Sequence, residues 1–473
     1  MNSNFTDTTI IIQRLEQAER RLKLASSLFL TALIGASILA IRPPAHSQGT
    51  DLTTRVAALE AKLAFLTTSG TEMTITGANL HIVDGAGSTP TKNGTGNLIL
   101  GYAEKRNDGT DDRSGSHNLV MGRLNNYSSW GGIVVGSQNN ITGTYACVEG
   151  GFGNTASGAF ANIGGGYNNT ASGNSSYVGG GGTNTASGVT SSVTGGNSNT
   201  ASGPSSAITG GYLNVASANS AFIGGGQNCQ ATGTSSSITG GYGNITNGDQ
   251  SAISGGYQNV VTVNGKFSSI LGGLNNTTDG QYACVSGGFF NRASGSYASI
   301  SGGTSNVASG QYSSVSGGEN AVASGMVSSV TGGSSNTASG NDGSVSGGVG
   351  NMASGTAAAV SGGSDNTASN TYSFVSGGDH NVASGIQSMV CGGFTNTANG
   401  QWAAILGGAN NLADTGTYTA VCGGYKNQAS GNFAVVYGGY NSTAVGVQTV
   451  VGGNAVSDND VNLTWVGGSY HTP

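Results

Sequence analysis

Gly302-Gly303-Thr304-Ser305-Asn306-Val307-Ala308-Ser309-Gly310-Gln311-Tyr312-Ser313-Ser314-Val315-Ser316 runs straight into Gly317-Gly318, and the same fifteen-residue phrase begins again. Outward from this stretch, the first glycine of a Gly-Gly pair falls at 150, 165, 180, 195, 210, 225, 240 and 255. It continues at every fifteenth residue from 272 to 407, and then at 423, 438, 452 and 467. These 22 pairs keep one register but for steps of 17, 16 and 14 residues at 272, 423 and 452. Self-similarity of that length is the mark of a repeat array.

With the first glycine as position 1, each position has a physical reading. Position 14 is Val or Ile in 21 of 22 repeats, as in Val315 and Val330; only Trp465 departs. Position 7 is Ala in 17, as in Ala308 and Ala323. These two are expected to be the inward-facing side chains of a rung, a β-branched packer and a small residue where the opposite wall comes close. Position 5 is Asn in 17, including Asn154, Asn169, Asn306 and Asn336. Asn tolerates a left-handed turn, and Asn side chains in a column can form a hydrogen-bonded ladder. The glycine pair is expected to serve corners of positive φ.

A helix is excluded by the glycine content and by an apolar spacing that is not 3.6. The fold class expected is mainly β: a parallel β-roll or β-helix solenoid of about 15-residue rungs, each with two short strands and two turns. At about 4.8 Å per rung the rod would be on the order of 110–120 Å long. The long steps place small surface bulges at Val261–Gly265 and Ala413–Gly416. Residues 150–473 form this solenoid. Residues 72–149 lead into it through Asn97-Leu98-Ile99-Leu100-Gly101, Asn118-Leu119-Val120-Met121-Gly122 and Ile133-Val134-Val135-Gly136, with a charged loop within Glu104–His117.

Charge divides the 473-residue chain: 12 of its 36 charged residues lie in 1–66, and only 14 in the last 355 residues. A net charge of −6 without a basic patch argues against nucleic acid as a partner. Five Cys without a CxxC give neither a disulfide framework nor a zinc motif. Leu24 to Ile41 is an uncharged run, long enough at 1.5 Å per residue to cross a bilayer core. Arg14, Arg20, Arg21 and Lys23 precede it, so residues 1–23 are expected in the cytoplasm and the rest exported. Residues 24–41 read as a transmembrane helix or signal anchor. Ala45-His46-Ser47 resembles a cleavage site, and cleavage there would make the protein secreted. Leu52, Val56, Leu59, Leu63 and Leu66, spaced 4, 3, 4 and 3, predict a short coiled-coil stalk over residues 50–67, or one amphipathic helix packed on the following domain.

The phrase Asn-Leu-Val-Met-Gly, with a turn such as Asn154-Thr155-Ala156-Ser157-Gly158 after it, resembles the head repeat (haemagglutinin-like region) of trimeric autotransporter adhesins. The resemblance covers residues 97–473 and implies a left-handed parallel β-roll that trimerises, often on a coiled-coil stalk. Two departures stand out. Later rungs put Ser-Gly where the family has a further aliphatic, as in Ser314-Val315-Ser316-Gly317. The C-terminal Thr464-Trp465-Val466-Gly467 is one more rung, not the family's membrane barrel. The tether is therefore expected at the N-terminal end.

No catalytic residue, metal or cofactor is expected. The candidate ligand contacts are the position-3 aromatics in short columns: Phe152 over Tyr167, Tyr242 over Tyr257, and Tyr425 over Tyr440. They would grip sugar rings, or else pack at a subunit interface. Asp365 and His380 fall at position 4 of successive rungs beside Asp379, and read as solvated surface groups. Asp108, Asp111 and Asp112 lack a calcium-loop signature. Ser286, Ser301, Ser316, Thr331, Ser346, Ser361 and Ser376 give an unbroken hydroxyl column at position 15. Cys391 and Cys422, two rungs apart, are beyond disulfide reach.

The expected function is a non-enzymatic, exported, membrane-tethered rod, a homotrimer at the cell surface or in the periplasm of a bacterium. Its adhesive or structural surface would face matrix or glycan. The alternatives are a single-chain β-helix that binds or acts on polysaccharide, and a rod that orders ice or mineral.

Overall fold

The computed structural model describes residues 52–458 and 465–467. The chain divides into two units, Met1–His81 and Ile82–Pro473. The expected cytoplasmic segment and transmembrane run lie outside the described residues. Among those described, no helix is long and apolar enough to cross a membrane.

In the first unit, helix α1 spans Leu52–Lys62, and strands β1 (Leu66–Ser69) and β2 (Glu72–Ile75) pair antiparallel. Gly70, at φ 59°, turns the hairpin. The expected two-heptad stripe is thus cut short. Leu66 belongs to a strand rather than a helix, because its backbone pairs with Ile75. Val56, Leu59 and Leu63 still share one side, 44–48% exposed.

The second unit is a parallel β-solenoid. One sheet carries the position-14 residues, beginning at Leu98–Leu100, Leu119–Arg123 and Ile133–Ser137 and reaching Trp465–Gly467. A second sheet carries position 7, from Asn126–Tyr127 through Thr155–Ala156 to Ser457–Asp458. A third ladder of single bridges runs through position 3, from Ser137 and Phe152 to Tyr440.

The rung Gly165–Gly179 shows how the backbone is satisfied. Tyr167, Thr170, Ser172, Tyr177 and Gly179 donate their N–H groups forward, to carbonyls of the next rung, at 2.8–2.9 Å. Asn168 and Ser175 donate backward, to Phe152 and Ala159 of the preceding rung, at 2.9 and 2.8 Å. These two are the rung's left-handed residues other than glycine, φ 53° and 55°, and the same two positions recur along the rod. A left-handed residue turns its peptide over, so positive φ at positions 4 and 11 lets the rung bond in both directions.

The glycines divide by role. Gly166 has φ 84°, and a Cβ on it would strike the carbonyl oxygen of Gly181. Position 9 is also tight: a Cβ on Gly173 would run into the oxygen of Gly188. Gly165, the first of its pair, meets nothing within 4 Å and has no left-handed φ. The expectation that both members of the pair serve positive φ therefore holds throughout for the second, while among the described first members only Gly392, Gly423 and Gly438 have positive φ, at 147–157°.

The core is fuller than two side chains per rung. Val178 and Ala171 are fully buried, as expected, but so are Asn169 at position 5 and Ser176 at position 12. Position 12 alternates Ser with Ala, as in Ala161 and Ala221, so small size is what the site requires. Asn169 is not itself left-handed. Its Nδ2 donates to Gly165 O and Gly181 O at 2.9 and 3.0 Å, and its Oδ1 accepts from Asn184 N–H at 2.9 Å. The Asn column is a ladder of side chain to backbone, which satisfies every polar atom of a buried amide.

The exception at Trp465 is a shift of register. Val436, Val451 and Val466 align, as do Gly438, Gly452 and Gly467. The 14-residue step removes the residue between the inward valine and the glycine pair. Trp465 therefore stands opposite Val450, and Val451 takes the buried site.

Candidate functional site

A rod whose interior is fixed by Asn, Ala, Ser and Val presents its chemistry on its outward positions. Position 3 stands exposed: Phe152, Tyr167, Tyr242, Tyr257, Tyr425 and Tyr440 are 37–53% accessible. Tyr242 and Tyr257 stack at 4.8 Å and 9°, and Tyr425 and Tyr440 at 5.6 Å and 14°. Lys426 Nζ lies 5.2 Å from the Tyr425 ring centroid, a cation–π contact. Phe152 and Tyr167 are joined only through their backbones. The Tyr167 ring instead lies across Gly182, the next position 3, and its hydroxyl accepts from Asn197 Nδ2 at 3.0 Å.

A longer aromatic column stands at position 11, which sequence reasoning missed. Phe267, Tyr282, Tyr297 and Tyr312 stack in four successive rungs at 4.8 Å, tilted by 10–14°. Trp402, Tyr418 and Phe433 form a second run at 4.5 and 5.1 Å. Tyr145 stacks on Phe160 at 5.2 Å, with Trp130 edge-on to it. Most of these residues are left-handed, φ 55–60°. Bulky residues there are strained by about 1–2 kcal/mol each, and other rungs use Ser175, Thr190 or Ser205 at that place. The signal was present in the 15-residue spacing from 267 to 312. It becomes visible once position 11 is known to be an outward corner.

The hydroxyl column from Ser286 to Ser376 is exposed at every rung. All five cysteines are free thiols, Cys391 exposed and Cys422 partly so. The Cys147 thiol is pushed up to about 11, by burial first and the neighbouring Glu149 carboxylate second.

Charges on the rungs are few, and among the described residues two Lys or Arg ion pairs join them. Asp249 meets Lys266 at 3.1 Å across the bulge of the 17-residue step, and that bond holds its carboxyl below the usual carboxylate range. Asp279 pairs with Arg292 at 2.6 Å. In the early loop the three acids are spent locally. Asp108 accepts from Thr110, Asp112 from Ser114, and Asp111 pairs with Arg113 at 3.1 Å. Arg106 donates to Leu124 O and Asn139 O at 2.7 and 2.9 Å, which ties the loop to two rungs.

Asp365, Asp379 and His380 come together as the rung coordinates imply, and each offers one ligand atom within 4.8 Å of the others. His380 Nδ1 lies 2.5 Å from Asp379 Oδ1, and Nε2 lies 3.9 Å from Asp365 Oδ2.

Compared with known proteins, the chain matches no protein-family model and no curated sequence.

Proposed function

We propose that this protein is a non-enzymatic display rod, exported and tethered through its N-terminal segment, whose repeat surface serves adhesion or mechanical structure as a homotrimer. One observation carries this reading. The Asn ladder and the buried Val/Ile column keep successive rungs in register, so outward residues of equal position stand one above the other along the solenoid. Such a framework suits many weak, repeated contacts better than one concave centre. The half-exposed Val56 and Leu59 on α1, with Leu63 directly after it, supply an apolar stripe that a parallel partner helix would cover. The resemblance to adhesin head repeats points the same way. The uncharged N-terminal run of the sequence supports a place at the cell surface or in the periplasm, or outside the cell if the segment is cleaved.

The test is the solution mass of residues 49–473 by sedimentation, repeated on 97–473. A trimer in the longer protein and a smaller species in the shorter one supports the reading. A monomer in both removes the trimer and with it the likeness to adhesin heads. Deleting residues 97–473 should abolish attachment to surfaces or matrix; cells that adhere unchanged would count against the adhesive role.

A second reading, polysaccharide binding, is favoured by the aromatic columns. Replacing Tyr257 and Tyr297 with Ala should lower retention on a glycan array, with unchanged thermal unfolding.

A further inference from the structure

We propose that Asp365, Asp379 and His380 form a surface site for a divalent first-row transition cation, with zinc as the fitting species. The inference rests on the solenoid geometry alone, not on the display function. Asp365 and His380 occupy the same left-handed corner of successive rungs, φ 52° and 56°, and Asp379 directly precedes His380. The rung pitch thus brings a carboxylate to each side of one imidazole.

Charge supplies the second argument. Asp249 and Asp279 each face a Lys or Arg close by. Asp365 and Asp379 have only the imidazole: among the described residues no Lys or Arg lies within ion-pair distance of either. Two carboxylates a rung apart repel, and a dication between them balances both charges. Imidazole among the donors selects zinc, nickel or copper over calcium and magnesium, which take oxygen alone.

The donors are already arranged for this. With Nδ1 held by Asp379, Nε2 is left facing Asp365, the pattern in which a carboxylate fixes the tautomer of a ligating histidine. Ser364 Oγ donates to Asp365 Oδ2 at 2.9 Å and orients that carboxylate. Zinc at about 2.0–2.1 Å from each donor sets tetrahedral ligand atoms about 3.3 Å apart. The two ligand atoms, His380 Nε2 and Asp365 Oδ2, stand 3.9 Å apart, close to that spacing. The three side chains are 47–58% exposed, which leaves them free to rotate. Asp379 stays on Nδ1 as the outer carboxylate, so Nε2 and Asp365 are the two protein ligands, and the remaining positions go to water or to oxygens of whatever the rod touches.

The experiment titrates zinc alone into the full-length protein with its thiols alkylated, since cysteines also bind zinc. It is read by calorimetry and by the His380 imidazole resonance. One equivalent should bind and shift that resonance. His380→Gln, and the pair Asp365→Asn with Asp379→Asn, should each weaken binding at least about tenfold. Calcium should not compete. An unshifted resonance at saturating zinc overturns the proposal, as does full affinity in His380→Gln, which places the metal elsewhere. Equal competition by calcium overturns it too, since that marks a carboxylate-only site. Should the double variant misfold, the wild-type resonance and the single His380→Gln variant still decide.

Discussion

The backbone N–H of Ala321 donates to Asn306 Oδ1 at 2.8 Å, but Ala321 has no oxygen to return to Asn336. Cys229 breaks the column in the same way. It offers Asn244 a thiol in place of an amide oxygen, and its Sγ reaches backbone carbonyls at 3.6–3.9 Å. Elsewhere the ladder is continuous from Asn125 to Ser442.

Restoring the missing member should stabilise the rod. Ala321→Asn adds an acceptor for Asn336 N–H and donors for Gly317 O and Gly333 O, in the geometry its neighbours use. A gain of about 1 kcal/mol is expected. Slower hydrogen exchange at Asn336 and its neighbours would confirm it, because stability in such a rod passes only from rung to rung. Unchanged or faster exchange would mean that the column cannot admit the larger side chain.

Substitution of single glycines separates their roles. Gly310→Ala and Gly318→Ala should each cost about 3 kcal/mol or more, the first by collision with Gly325 O and the second by φ 102° and Gly333 O. Gly317→Ala places its methyl in open space and should stay within about 0.5 kcal/mol. Chemical unfolding of the three variants checks this. Equal losses at 317 and 318 would show that the first glycine also bears on stability.

The register shift near the C-terminal end makes its own prediction. Val451→Ser exposes a hydroxyl to the core and should cost about 2 kcal/mol, whereas Val450→Ser faces outward and should cost little. Limited proteolysis of the last rungs reads the difference. The reverse order of sensitivity would restore the simple rule that the residue two before the glycine pair points inward.

Thiol chemistry tests the surroundings of the cysteines. At pH 8 iodoacetamide should modify exposed Cys391 well before Cys147, whose thiol is held near 11 by burial and by Glu149. Since the thiolate is the nucleophile, the Cys147 rate should rise about tenfold per pH unit up to that value. Mass mapping of the alkylated peptides gives both rates. Similar rates at pH 8 would show that Cys147 is more solvated than its packing implies.

The sequence by itself determined the repeat length, the parallel stacking, the inward Val/Ile and Ala columns and the bulge positions. A period enforced by Gly, Asn and Val leaves only one way to stack rungs. It also put Asp365 beside His380, because equal positions in successive rungs must lie one above the other. The tertiary structure decided what depends on the direction of a peptide rather than on its place in the period. It made positions 4 and 11 left-handed, so that their N–H groups bond backward. That freed position 5 to hold the Asn ladder, and turned the position-11 aromatics outward into a column. It also placed Ser176 and its equivalents in the core, where one small residue looks like another in the sequence. At Leu66 a helical spacing yielded to strand pairing with Ile75, because Thr67 and Thr68 favour a strand and Gly70 turns the chain back into a hairpin.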